Sequence, residues 1–423
     1  MPKWETYPCS NSDGGDDVDI EFTIGQPSKN ILAKAYELMG DASAALARDA
    51  KDGGADVRVW MQYGASEGSR RYRRACAAIS KSMSSTHTRP QTEIRVDKVT
   101  ADDLERIFAT NGCSAALDLV ATTFLDKGDT VLVEQNTYFL AMQTFFDHGM
   151  NVVAAPVDKD GLIVDATFDT LIEKTKPKAV YVIPTHQNPT GSALPLERRR
   201  RLVQLAKQEN MLVLSDDVYD NLWFPASSNE HAAAANAVPL VDLDESRVVS
   251  MCTFSKILAP GLRLGWIKSS PSNIKKLSSR GYVQSGGGLN PFTGEIVATA
   301  VESGALSSHI DVVRRMLQRR YEALERSVSE HLPFCQWESV RGGYFFWLQL
   351  PKGVSATALH AEAAQLPKGQ RVGFLCGDRT SPPASSASES IRISFSYYNP
   401  EMIAEGIKRI AKLPSLRKFI PRR

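Results

Sequence analysis

The sequence predicts an α/β protein: a large region built on a mostly parallel sheet, followed by a smaller α/β region. Three observations carry that expectation. Short apolar runs alternate with helical patterns from about Leu104 to Trp266, a long amphipathic stretch follows at Ser307 to His331, and further strand-like runs lie near the C-terminus. Alternating strands and helices imply βα units, and their crossovers place helices on both faces of a parallel sheet.

Taken in order, the acidic stretch Asn11–Asp19 reads as a loop, and I-E-F-T-I-G-Q-P (Ile20 to Pro27) as a short extended piece that turns at Gly25. The strand-like runs are V-L-V-E (from Val131), V-V-A-A-P-V (from Val152), A-V-Y-V-I-P (from Ala179), M-L-V-L-S-D-D (from Met211) and R-V-V-S-M-C-T-F (from Arg247). Their β-branched, near-continuous apolar character suits strands covered on both faces. Beyond the long helix, Gly342 to Leu350 and Ile391 to Ser396 read as strands, Glu401–Lys412 as a closing helix, and the Ser/Pro-rich stretch Thr380 to Ser390 as a mobile loop.

With 423 residues, 43% apolar and 23% charged, the chain exceeds one ordinary domain and has the balance of a soluble globular protein. Lys and Arg number 50 against 48 Asp and Glu, a net charge of +2 that advertises neither nucleic acid nor an anionic membrane as partner. The basic tail Lys418 to Arg423 is short enough to be simply solvated, and E-R-R-R-R (Glu197 to Arg201) reads as a solvated helix face with Leu202, Leu205 and Ala206 turned inward. Six cysteines (Cys9, Cys76, Cys113, Cys252, Cys335, Cys376) stand far apart without C-x-x-C, which argues against a disulfide framework and a zinc site and suits a reducing compartment. No secretory leader, membrane-spanning run or peroxisomal tripeptide is visible, so a cytoplasmic enzyme is expected. Gly286, Gly287 and Gly288 lack the spacing of a dinucleotide fingerprint, and His186 reads as a packed strand-end histidine.

The chemistry concentrates in four segments. In C-T-F-S-K-I-L-A-P-G-L-R-L-G-W (Cys252 to Trp266), Lys256 and Arg263 flank a Pro-Gly bend. A primary amine forms an imine with an aldehyde, and a guanidinium holds a phosphate through paired donors. Together they suit pyridoxal 5'-phosphate (PLP), although a solvated pair on a surface loop fits the same run. In T-N-G-C-S-A-A-L, Gly112 precedes a helical pattern whose first backbone N–H groups, on Cys113, Ser114 and Ala115, could cradle an anion; an ordinary helix start reads the same way. Tyr138 follows a strand, where its ring could stack on a flat heterocycle or simply pack. P-T-H-Q-N-P-T-G (Pro184 to Gly191) and L-S-D-D-V-Y (Leu214 to Tyr219) end predicted parallel strands, where ligands of open α/β sheets gather. An acid there can keep a pyridine nitrogen protonated, and Asn188 and Tyr219 can donate to a phenolate.

In order and spacing these segments resemble the class I/II aminotransferases of PLP fold type I, the aspartate aminotransferase-like fold, from about Ile20 to Leu413, and among them the aromatic, aminoadipate and kynurenine enzymes. The resemblance implies a seven-stranded, mostly parallel sheet in a large PLP-binding domain (58–305), a C-terminal small domain (306–423), and an N-terminal arm (1–57) that joins the small domain. It implies PLP as cofactor, Lys256 as Schiff-base lysine, Asp216 as partner of the pyridine nitrogen, Asn188 and Tyr219 as partners of O3', and Tyr138 stacked on the ring. Phosphate would be held by Cys113, Ser114, Thr253, Ser255 and Arg263, with Tyr63 reaching in from the second subunit of a homodimer. Arg392 would grip the substrate α-carboxylate beside Asn188, and Gly25 would line the substrate pocket. The implied reaction is ping-pong transfer of an amino group from an L-amino acid to a 2-oxo acid, with Lys256 as proton carrier. A C–S β-lyase or another eliminating or cyclising enzyme could use the same groups. A cofactor-sensing regulator is the distant rival, but only about twenty residues precede Ile20, too few for a helix-turn-helix.

Departures from the pattern bear on the substrate. Cys113-Ser114-Ala115 stands where Ser-Gln-Gln is common, which leaves the backbone donors in place. Cys376 stands where a proline is usual, and the aromatic that normally follows is missing. Gln284 to Phe292 offers no arginine for a side-chain carboxylate, although Arg280 is near, so aromatic, branched or aminoadipate-like substrates are expected ahead of a strictly dicarboxylic one.

Overall fold

A computed structural model describes residues 18–52, 60–83, 93–225, 238–286, 289–383 and 385–419. Cys9, most of the acidic N-terminal loop, Gly287, Gly288 and the last four residues of the tail lie outside the described residues.

Seven strands form the main sheet: β1 (Ile107–Thr110), β2 (Thr130–Glu134), β3 (Asn151–Ala155), β4 (Ala179–Val182), β5 (Leu212–Asp216), β6 (Val248–Thr253) and β7 (Gly265–Lys268), in the spatial order β1-β7-β6-β5-β4-β2-β3. The pairs β3–β2, β2–β4, β4–β5 and β5–β6 are parallel, and β7 runs antiparallel to both β6 and β1. Successive strand side chains point to opposite faces. Leu132, Val180, Val182, Val213 and Val248 accordingly meet one core with Phe168, Ile172, Leu202 and Leu205. Val131, Val133, Ala179, Leu214 and Val249 meet another with Ala116, Leu117, Val120 and Phe145. Covering both faces with helices is why these strands read as continuous apolar runs rather than alternating ones.

The helix Leu196–Gln208 corrects the expectation for E-R-R-R-R. Arg198 and Arg201 do reach outward, to Asp158 (2.6 Å) and Asp169 (2.7 Å). Arg199, however, is buried and donates to the carbonyls of Leu194 and Pro184 (both 2.8 Å) and to Thr185 Oγ1 (2.9 Å). Its spacing from Leu202, Val203 and Ala206 puts it on the inner face, so helical periodicity contained the signal that the charge run obscured.

Beyond the main sheet, β8 (Phe345–Gln349), β9 (Leu375–Cys376) and β10 (Ser390–Ser394) make an antiparallel sheet in the order β8-β10-β9. The helices Ala305–His331 and Pro400–Ala411 pack together beside it. Ile20–Glu21 pairs in parallel with Val372–Gly373 as a separate two-stranded sheet, which ties the N-terminal segment to the chain just before β9. Ser28 caps the following helix, Lys29–Lys51, and also accepts from the buried Arg320 (2.8 Å). The stretch expected as a loop after Thr380 is tied back: Asp378 accepts from Ser386 Oγ and from the Ala387 N–H, both at 2.9 Å.

Candidate active site

The carboxyl ends of β4, β5 and β6 and the start of the helix Cys113–Phe124 converge on one cleft, which β10 approaches from the second sheet. Asp216 is the last residue of β5 and is buried. Its Oδ2 accepts from the Tyr181 hydroxyl (2.5 Å), and its Oδ1 from the Cys113 thiol (3.4 Å). Burial pushes the carboxyl up to about 6, although both donors favour the charged form. Tyr181 was not among the residues expected here, yet the pattern contains it. Tyr181 pairs with Leu214 in register, and Leu214 and Asp216 share a face of β5 two residues apart.

Lys256 follows β6 and reaches back so that Nζ donates to the Gly25 carbonyl (2.8 Å), 5.9 Å from the Tyr219 ring centre and 5.6 Å from that of Tyr344. Burial lowers its pKa to about 8, with Arg392 lowering it further and Asp216 opposing. A lysine in this state is an available amine and base near neutral pH. The Tyr344 hydroxyl donates to the Lys256 carbonyl (2.7 Å) and holds its backbone; this second tyrosine was also missed by the sequence reading.

Arg392 comes from β10. Its Nη1 donates to Asn188 Oδ1 (3.0 Å), its Nη2 to the Thr23 carbonyl (2.9 Å), and its guanidinium lies 4.0 Å from the Phe345 ring centre. Nε is buried without a hydrogen-bond partner among the described residues. Burial lowers the arginine to about 10, and Arg379 adds to the lowering. A Cβ on Gly25 would lie 2.8 Å from Phe345 Cζ, so any side chain here would have to displace the ring that lies against Arg392. Tyr219 is buried against Tyr344 and Phe345, and Tyr138 lies at the start of the helix Phe139–Asp147 that follows β2, with its ring 5.7 Å from that of Phe139.

At the other end, Gly112 precedes the helix Cys113–Phe124 with φ +85° and no side-chain cap, leaving the first N–H groups free of intrahelical partners. Arg263, itself left-handed at φ 49°, donates to the Asn111 (3.0 Å) and Pro260 (3.1 Å) carbonyls. A Cβ on Gly112 would sit 2.8 Å from its Nη2. Thr253 Oγ1 donates to Ser255 Oγ (2.9 Å) and to the Leu264 carbonyl (3.1 Å). Ser114 is exposed, and Tyr63 stands 85% exposed with no hydrogen bond to the other site residues. His186 is buried with neither ring nitrogen bonded among the described residues, and burial lowers it to about 3. No group of His, Cys, Asp and Glu among the described residues could hold a metal ion.

The donor set fits PLP: a free helix start and a guanidinium across a space that only a glycine leaves open, a buried carboxylate for a pyridine nitrogen, and a neutral-prone lysine between them. The comparisons agree. The family model for aminotransferase class I and II matches residues 34–410. An aromatic-amino-acid aminotransferase of Thermococcus litoralis is 34% identical over 72% of either chain, and a 2-aminoadipate transaminase of Thermus thermophilus 30% identical over 73% of this chain and 75% of its own. The crystal structure of a Pyrococcus horikoshii kynurenine aminotransferase in complex with PMP superposes with a TM-score of 0.78 at 28% identity, covering 96% of this chain and 92% of that one. The chain therefore belongs to the class I and II aminotransferases, PLP-dependent transaminases of fold type I.

Proposed function

We propose that Lys256 is the lysine that carries PLP and moves the proton at the substrate Cα, in amino-group exchange between an L-amino acid and a 2-oxo acid. The observation that supports it best is the placement of Lys256 Nζ on the Gly25 carbonyl, near two tyrosine rings and, among the described residues, hydrogen-bonded to no carboxylate. When bound, PLP supplies an aldehyde that exchanges amines and a ring that withdraws electrons from Cα. Asp216 holds the proton on the ring nitrogen, and Tyr181 and Cys113 hold Asp216. The helix start at Cys113 and Ser114, with Thr253, Ser255 and Arg263, binds phosphate, while Asn188 and Tyr219 serve the ring oxygen and Tyr138 its face. Arg392 binds the α-carboxylate as a fork, kept in plane by Asn188, Thr23 and Phe345. With PLP bound, Lys256 would be the base positioned to take the proton from the substrate Cα and to deliver it to the carbon that derives from the cofactor's aldehyde.

The aromatic and long-chain substrates named for the relatives fit a cleft walled by Tyr138, Tyr219, Tyr344 and Phe345, and such amino acids are the expected donors. The exposure of Tyr63, Met61, Tyr282 and Phe292 supports a homodimer in which Tyr63 completes the partner's phosphate site. The division into an arm (1–57), a large domain (58–305) and a small domain (306–423) is proposed with it, as is a cytoplasmic location; no described helix is long and apolar enough to cross a membrane.

The test is absorption spectroscopy of the PLP-loaded protein with single amino acids and no oxo acid, beside Lys256→Ala. Stoichiometric pyridoxamine phosphate and 2-oxo acid, dependent on Lys256, are expected. Continuous ammonia or thiol release would instead indicate a lyase, and a visible cofactor band that survives in Lys256→Ala would overturn the assignment of the lysine.

A further inference from the structure

The turn that carries Lys256 closes with the Leu258 N–H on the Phe254 carbonyl (2.8 Å). It does not continue as a helix, because the residue four beyond Lys256 is Pro260, which has no N–H to give to the Lys256 carbonyl. A carbonyl left unpaired inside a fold costs free energy, so it takes a donor from elsewhere. Here the donor is the Tyr344 hydroxyl, at 2.7 Å.

Tyr344 is buried and stands one residue before β8. Three backbone contacts fix it. Its own carbonyl accepts from the Phe395 N–H (3.0 Å), just beyond β10, the strand of Arg392. The Gly343 N–H donates to the Leu222 carbonyl and the Phe224 N–H to the Arg341 carbonyl (both 2.8 Å), which lays the segment before Tyr344 along the residues that follow Tyr219. Gly343 has φ +76°, and a Cβ there would lie 2.7 Å from His186 Cβ, so this close approach needs glycine. The rings of Tyr344 and Tyr219 are 5.6 Å apart. Lys256 Nζ stands 5.6 Å from the first ring centre and 5.9 Å from the second, within reach of a cation–π contact with both. Arg392, Asp216 and Cys113 also act on this amine, and among the described residues none of them is hydrogen-bonded to it.

We propose that Tyr344 is a positioning residue for Lys256: its hydroxyl fixes the backbone from which the lysine reaches, and its ring, with that of Tyr219, seats the ammonium form. Lys256 becomes an ammonium when it takes the proton from the substrate Cα. It becomes an amine again when it delivers that proton to the carbon derived from the aldehyde, so no proton is gained or lost over the two transfers. An aromatic seat favours the charged form without a carboxylate, whose full negative charge would hold the proton more tightly against its return. One side chain thereby joins the lysine turn, the Tyr219 segment and the Arg392 strand, and keeps the amine aimed at the place where Arg392 holds the substrate. The inference rests on Lys256 as the proton carrier and on Arg392 binding the α-carboxylate, as proposed above.

The test compares Tyr344→Phe, which keeps the ring and loses the hydroxyl, and Tyr344→Met, which fills the space with neither, with the parent and Lys256→Ala, all full length. In single turnovers of the PLP-loaded proteins with L-phenylalanine, Tyr344→Phe should slow the reaction about tenfold, as expected when a carbonyl inside the fold loses its donor. The half-saturating concentration should stay within about twofold, because Arg392 is untouched. The slowed rate should fall further with deuterium at Cα, since the step affected is proton transfer to Lys256. The second readout needs no activity: labelling of Lys256 by acetic anhydride in cofactor-free protein, followed across pH by peptide mass spectrometry, reports the proton affinity of the amine. Its midpoint should match the parent in Tyr344→Phe and fall by about half a unit to one unit in Tyr344→Met, which lacks the ring. An undiminished rate in Tyr344→Phe, a loss insensitive to deuterium, or a loss confined to the half-saturating concentration would overturn the anchor, and a midpoint unmoved or raised in Tyr344→Met would overturn the aromatic seat. Should Tyr344→Met not fold, the rate and isotope result of Tyr344→Phe decide the proposal by themselves. If the parent does not convert L-phenylalanine, or Lys256→Ala converts it as fast, the functional reading fails instead, and the labelling midpoints still decide the aromatic seat.

Discussion

Tyr181→Phe probes the carboxylate at the centre of the site. The phenol donates to Asp216 Oδ2 at 2.5 Å, in a place where burial has already raised the acid from 3.8 to about 6. A hydrogen bond to an ionised group stabilises by about 1.5–3 kcal/mol, against about 1 kcal/mol for a neutral pair. Because the folded-state pKa lies above the unfolded one, the folded cofactor-free protein holds this proton more tightly. The associated stability is present below about pH 4 and is lost as pH rises to about 6. Removing the phenol raises the folded pKa further and deepens that loss. Tyr181→Phe should therefore cost about 1 kcal/mol at pH 5 and about 1–2 kcal/mol more at pH 8. Urea denaturation of cofactor-free protein at the two pH values measures both, and in an Asp216→Asn background the pH dependence should vanish. An equal loss at pH 5 and pH 8 would refute the reasoning, since it would mean that the phenol supports packing and not the carboxylate charge.

Other outcomes follow from the same geometry. Arg392→Leu removes the fork that Asn188 and Thr23 hold, and should raise KM for the 2-oxo acid by about 30-fold or more, as expected for a lost buried charge contact of 2 kcal/mol or above; steady-state kinetics decides it. Gly112→Ala places a Cβ against Arg263 at φ +85°, and should weaken PLP binding by about tenfold, from the strain and the displaced guanidinium, as read by fluorescence titration. Arg199→Met leaves the Pro184 and Thr185 oxygens unpaired beside buried Asp217 and Asp220, and should destabilise by about 3–5 kcal/mol in chemical denaturation. Lys256 has a folded pKa below its unfolded value, so it binds its proton less tightly when folded. Lys256→Met should stabilise the cofactor-free protein at pH 7, a gain that fades as pH rises from about 8 to 10.5; a pH-independent effect would contradict the burial argument.

By itself the sequence determined the βα alternation, because strands covered on both faces must be continuously apolar and the helices between them periodic. It also placed Asp216 at a strand end, Asn188 and Lys256 just beyond strand ends and Arg392 within a strand, through local motifs that a chain can carry without reference to its neighbours. Only the tertiary structure decided what each of these residues touches. Tyr181 and Cys113 meet Asp216 across 35 and 103 residues of sequence, and Arg392 meets Asn188 across 204, so no window of local pattern contains these pairs. Charge misled at one helix for the same reason. Arg199 looked solvated in its basic run and is buried among carbonyls. Whether a cation is satisfied depends on the oxygens that folding brings to it, and those come from other segments of the chain.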